Sequence, residues 1–134
     1  MAETSLSHSK LGILVVEDDA MLNLVMCVQL KVSGFSGVRS ATSGQQALQM
    51  IRESVPSVLI LDIGLPDMSG QQVIAELRQN SLTRALPLIV HTSADLSNDE
   101  KTQLQLGPSR FVTKSTAFSE RLTELIFEVT ELEE

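Results

Sequence analysis

From Leu11 onward, short apolar runs alternate with longer stretches in which apolar residues recur every three or four positions. The runs Ser57 to Asp62 and Leu86 to Thr92 are almost continuously apolar, as is Gly12 to Val16, while Gly37 to Ala41 is weaker and Arg110 to Thr113 short. Each predicts a strand, and strands of this continuous kind suit a parallel sheet with helices on both faces. Between them, Leu22, Val25, Met26, Gln29 and Leu30 fall on one predicted helix face. Ala47, Leu48 and Ile51 make a second stripe, Val73, Ile74 and Leu77 a third, and Phe118, Leu122, Leu125, Ile126 and Val129 a last one. Ser43 with Gln46, Ser69 with Gln72 and Ser97 with Glu100 have capping-box spacing, which predicts three helix starts. Glu131, Glu133 and Glu134 set anions at the end of the last helix, where the macrodipole disfavours them and fraying is expected.

Strand and helix alternating to the end predict an α/β fold with right-handed crossovers. At this length the compact solution is a doubly wound five-stranded parallel sheet of flavodoxin-like order 2-1-3-4-5, helices on both faces. No Pro/Gly/Ser-rich linker interrupts the pattern, and 134 residues suit one core. The expected organisation is a flexible polar leader over residues 1–10, with His8 solvated in it, and one domain over 11–132.

In such a sheet the functional site lies at the carboxyl ends of the strands. The first strand runs into Glu17, Asp18 and Asp19, and the third into Asp62. Carboxylates aimed at one spot resist simultaneous ionisation unless a cation offsets them, and an all-oxygen set suits a hard ion such as Mg²⁺. Asp19 reads more simply as a cap for the following helix. The fourth strand ends in His91 and Thr92 and the fifth in Thr113 and Lys114, so a hydroxyl and an ammonium suited to phosphoryl oxygens reach the same end of the sheet. His91 alternates with Thr92 and reads as a packed or partly exposed side chain.

Composition narrows the partners. With a net charge of −7, 3% aromatic residues and neither Trp nor Tyr, the domain lacks both the field and the stacking platforms for direct nucleic-acid binding. Cys27 stands alone, so no internal disulfide or Cys-based zinc site exists, and its apolar neighbours predict a buried thiol. No apolar run approaches the ~20 residues of a membrane span, and a cytoplasmic location is expected.

The segments VVEDDA, LILDIGLPDMSG, PLIVHTS and FVTKS, in this order, resemble the receiver domains of bacterial response regulators, chemotaxis receivers among them. By that resemblance Asp62 is the phosphoacceptor, Asp18 a direct Mg²⁺ ligand, Glu17 a ligand through water, and the Gly64 carbonyl a further ligand. Lys114 and Thr92 would hold the phosphoryl oxygens, Phe111 would be the aromatic switch residue, and Pro66 and Gly70 would shape the loop after Asp62. The implied partner is a histidine kinase or a histidine phosphotransfer domain. The implied readout is the face of the fourth helix, fifth strand and fifth helix. Such a domain is not itself an enzyme beyond self-phosphorylation and slow autodephosphorylation. LGPSRFVTKS is also similar to receivers at the carboxyl end of hybrid sensor histidine kinases, so an excised and a free-standing receiver both stay open.

One departure is Ser115, where the family carries a proline after a cis bond; a trans Lys114–Ser115 bond is expected here, since cis costs ~3–4 kcal/mol without proline. An aspartyl-nucleophile phosphatase would need a second acid two residues after Asp62, and Gly64 stands there. A P-loop nucleotidase lacks GxxxxGK[ST]. A non-phosphorylated interaction domain would have no use for the set Asp18, Asp62, Thr92 and Lys114.

Overall fold

A computed structural model describes residues 10–93, 95–114 and 118–131. The expected leader lies, but for Lys10, outside them, as do the Lys114–Ser115 bond and the acids Glu133 and Glu134. The chain forms β1 (Gly12–Val16), α1 (Ala20–Val32), β2 (Gly37–Ala41), α2 (Gly44–Glu53), β3 (Val58–Asp62), α3 (Gly70–Arg78), β4 (Leu88–Thr92), α4 (Asn98–Gln103), β5 (Ser109–Thr113) and α5 (Phe118–Glu131). The five strands pair in parallel in the order β2-β1-β3-β4-β5, as the alternation predicts.

Alternating side chains divide the core between the two faces of the sheet. Ile13, Val15, Val58, Ile60 and Ile89 pack against Met26, Cys27 and Leu30 of α1 and Leu122, Leu125, Ile126 and Val129 of α5. Leu14, Val16, Leu59, Leu61, Leu88 and Val90 pack against Ala47, Leu48 and Ile51 of α2 and Val73, Ile74 and Leu77 of α3. The three central strands need apolar residues at almost every position because both faces are covered. Edge strands β2 and β5 are only half-buried, which is why polar Arg39, Ser40 and Arg110 interrupt their patterns.

Three local expectations are corrected. β4 begins at Leu88, not Leu86, because Pro87 has no N–H for the ladder, although its carbonyl still accepts from Leu59 N at 2.9 Å. The buried face of α1 is Asn23, Met26, Cys27 and Leu30, so Val25 turns outward, joining Met21, Leu24, Val28 and Val32 on an exposed apolar stripe. Full capping boxes close α3 and α4, but at α2 Ser43 is only half of one. There Gln46 Oε1 accepts from Thr42 N at 2.9 Å, while the carboxylate of Asp67 takes the Gly44 and Gln45 amides, each at 2.9 Å.

Candidate functional site

The face-sharing rows that build the α1/α5 core continue into the site. Two positions beyond Val15, Ile60, Ile89 and Val112 come Glu17, Asp62, His91 and Lys114, so four polar side chains finish four apolar rows on one face. Asp62 pairs directly with His91 across β3 and β4, which sets them side by side. The loops at this end need no ladder bonds, and backbone amides are free to meet the acids. Asp62 Oδ1 accepts from Gly64 N at 3.0 Å, and Glu17 Oε2 from Asp19 N at 2.9 Å.

The Lys114 ammonium lies 2.9 Å from Glu17 Oε1 and 3.3 Å from Asp62 Oδ2. Glu17, Asp62 and His91 are buried, whereas the Lys114 side chain is partly exposed. Burial raises the Glu17 carboxyl above its ordinary value, more than the Asp19 amide and Lys114 lower it. Burial pushes the same way on Asp62 but is outweighed by the Gly64 amide, by His91, which is cationic only in the acid range where Asp62 titrates, and by the Lys114 ammonium, so Asp62 sits below its ordinary value. Burial works against the charged Lys114 too, yet bonding to Glu17 and the field of Asp62 outweigh it, and the ammonium is strengthened. His91, with Nδ1 3.7 Å from Glu17 Oε1, is held down to about 4 chiefly by burial and is neutral at neutral pH. Two carboxylates thus face a single ammonium in a largely buried spot.

Sequence reasoning places Glu17, Asp62 and Lys114 together, and so does the structure. The ligand atoms of Glu17, Asp62 and His91 lie within 4.8 Å of one another. Asp18 is exposed beside them, and Asp19 caps α1, its Oδ1 accepting from Met21 N and Leu22 N at 3.0 and 3.1 Å. Thr92 and Phe111 belong to the opposite face: with Asp95, Leu96 and Lys101 they line a cavity of about 220 Å³ between β4, α4 and β5. The Lys101 ammonium stands 6.0 Å from the centre of the Phe111 ring, within cation–π range. His91 is packed, as expected, but its place among the acids needed the β3–β4 register, which the strand pattern alone did not supply. Asn23 and Asp67 also tie the site loops; the only sequence signal for Asn23 is a polar residue beside the apolar stripe of α1.

Residues 13–126 match the family described as the response regulator receiver domain. The phosphate regulon transcriptional regulatory protein PhoB of Escherichia coli is 34% identical over 102 residues, covering 76% of this chain and 44% of that protein. The transcriptional regulatory protein KdpE of Mycobacterium tuberculosis is 37% identical over 113 residues, covering 84% and 48%. The chain thus spans about half the length of the curated relatives it matches. Among solved structures, a DNA-binding response regulator of the LuxR family from Staphylococcus aureus superimposes with a TM-score of 0.75 at 27% identity, covering 90% of this chain and 98% of that one. The N-terminal domain of a response regulator receiver protein from Methanoculleus marisnigri gives 0.69 at 26%, covering 90% and 97%.

Proposed function

The chain belongs to the response regulator receiver domain family of two-component systems, and from that premise we propose that Asp62 is its phosphoacceptor, charged by a histidine kinase or a histidine phosphotransfer domain. The observation that carries this reading is the buried Asp62 carboxylate, held by the Gly64 amide on one oxygen and facing the Lys114 ammonium with the other. An Asp62 oxygen attacks phosphorus, a P–O bond forms, and the P–N bond of the donor phosphohistidine breaks with its electron pair returning to the imidazole, which solvent reprotonates. Lys114 offsets charge on the phosphoryl oxygens, and Thr92, whose side chain lines the cavity on the other face, offers them a hydroxyl once it turns toward the phosphate.

The donor set fits a divalent cation, because the carboxylate oxygens of Glu17 and Asp62 come together and outnumber the one ammonium, Lys114, that faces them. Glu17, Asp18, Asp62 and the Gly64 carbonyl would hold Mg²⁺, which would supply a hard positive centre for the approaching phosphoryl group. In this reading the domain covers 11–132 and is a phosphoacceptor, not an enzyme acting on small substrates. Its signal is a change at α4, β5 and α5, with Thr92 drawn toward the phosphate and Phe111 moving into the cavity they share.

The exposed apolar stripe of α1, which starts beside the site, suits a helix of the phosphodonor. Such a donor argues for a cytoplasmic domain; among the described residues no helix is long and apolar enough to cross a membrane. Relatives named as transcriptional regulators favour a response regulator over a hybrid kinase as the parent protein.

Beryllofluoride or acetyl phosphate with Mg²⁺ is expected to modify the wild-type chain and leave Asp62→Asn unchanged. Equal labelling of both from a phosphorylated kinase would overturn the assignment.

A further inference from the structure

Asn23 lies on the inner face of α1 beside Met26, Cys27 and Leu30, where an apolar residue would serve packing alone. Its Nδ2 instead donates to the Glu17 carbonyl at 3.0 Å and the Ala41 carbonyl at 3.1 Å, while Oδ1 accepts from Cys27 Sγ at 3.5 Å. Two carbonyls at one end and a thiol donor at the other fix which way the amide points. The Glu17 N–H reaches the same Ala41 carbonyl at 3.1 Å, so the Glu17 residue is tied to the end of β2 from both sides. The tie continues: α2 begins three residues past Ala41, and its first amides are held by Asp67, from the loop that leaves Asp62 through Gly64. The loops carrying Glu17, Asp18 and Gly64 are thereby joined in one frame around the end of β2.

We infer that Asn23 is a positioning residue for the phosphoacceptor site: by clamping the Glu17 carbonyl to the end of β2 it sets the direction in which Glu17 and Asp18 face a divalent cation. The inference rests on the reading of those acids as metal-binding. Asn23 itself touches neither cation nor phosphoryl group; it acts through the turn from Glu17 to Asp19. A buried amide with all its groups bonded holds this geometry firmly, because any shift of the turn strands carbonyls away from water.

The test compares Asn23→Leu with Thr83→Val in the full chain. Thr83→Val also removes a buried hydrogen bond, Thr83 Oγ1 to the Leu77 carbonyl at 2.6 Å, but one that touches none of the site residues. Mg²⁺ affinity is read from amide chemical shifts of Gly64 and Asp19 during titration, alongside the urea midpoint of each variant. Asn23→Leu is expected to weaken Mg²⁺ about tenfold, the scale on which outer partners of metal ligands act, with Thr83→Val within about twofold of wild type. Asn23→Ser keeps one donor and is expected to fall between, which preserves the test if the leucine variant does not fold. Equal loss of stability in the two principal variants with unchanged Mg²⁺ affinity would make Asn23 a packing residue and overturn the inference. A wild-type chain that takes up neither Mg²⁺ nor beryllofluoride would instead overturn the reading of the site itself, and this inference with it.

Discussion

Between Glu17 Oε1 and Asp62 Oδ2 stands the ammonium of Lys114, 2.9 and 3.3 Å away. In Lys114→Met two buried carboxylates face each other without it, and mutual repulsion raises the proton affinity of the pair. Phosphorylation by acetyl phosphate is expected to slow on the order of 10²-fold, the scale of losing a charge-stabilising donor, and the rate profile to shift to higher pH; stopped assays across pH check both. Asp67 gives a second pH signature at the same scale. Its carboxyl is held below the ordinary value of 3.8 by the Gln45 and Gly44 amides. A depressed acid stabilises the fold above its ordinary value and stops doing so as pH falls through the folded one. The difference in urea midpoint between wild type and Asp67→Ala is therefore expected to be present at pH 7 and to shrink below the ordinary carboxyl value. Glu17, Asp62 and Lys114 were legible in the sequence because each immediately follows or closes an apolar strand. His91 and Asn23 were not, since a histidine one residue before a strand end and an asparagine in a helix acquire neighbours only through register and helix rotation.

At the scale of elements, caps were read more securely than faces. Ser69 and Ser97 sit at the helix starts their spacing predicts, because a cap depends on residues three apart and on nothing distant. Ser69→Ala is expected to lower stability by about 1 kcal/mol, measurable by denaturant unfolding. The face of α1 could not be read so well: Met21, Leu24, Val25 and Val28 are as apolar as Met26, Cys27 and Leu30, and periodicity cannot choose between two apolar sides. That surplus of exposed apolar surface is costly in water unless something covers it. Leu24→Glu or Val28→Glu is expected to slow phosphotransfer from a histidine donor at least about tenfold, a loss of about 1.4 kcal/mol of docking, while acetyl phosphate, which needs no docking, acts as before. Equal slowing with both donors would mean the stripe supports the site rather than a partner.

Across the whole molecule, the alternation of strand and helix was enough to give sheet order and layers, because parallel strands joined by right-handed crossovers leave few alternatives. Both cores are filled mainly by aliphatic side chains, with Phe35, just past α1, meeting Phe127 of α5 at 6.2 Å between ring centres. The helices do not share this anchoring equally. The six residues of α4 include no buried side chain, and the helix is held at its carboxyl end by Leu104 in the core and by Arg78 of α3, which donates to the carbonyls of Thr102 and Gln105. So short a helix has little tendency to stand alone, and its opening costs the molecule two anchors rather than a core. In native-state hydrogen exchange, the amides of Lys101 and Leu104 should trade protons through a local opening far below the global unfolding free energy. Severing the guanidinium in Arg78→Ala should hasten that exchange while the amides of β1 and β3 keep theirs, making α4 the hinged panel of an otherwise solid box.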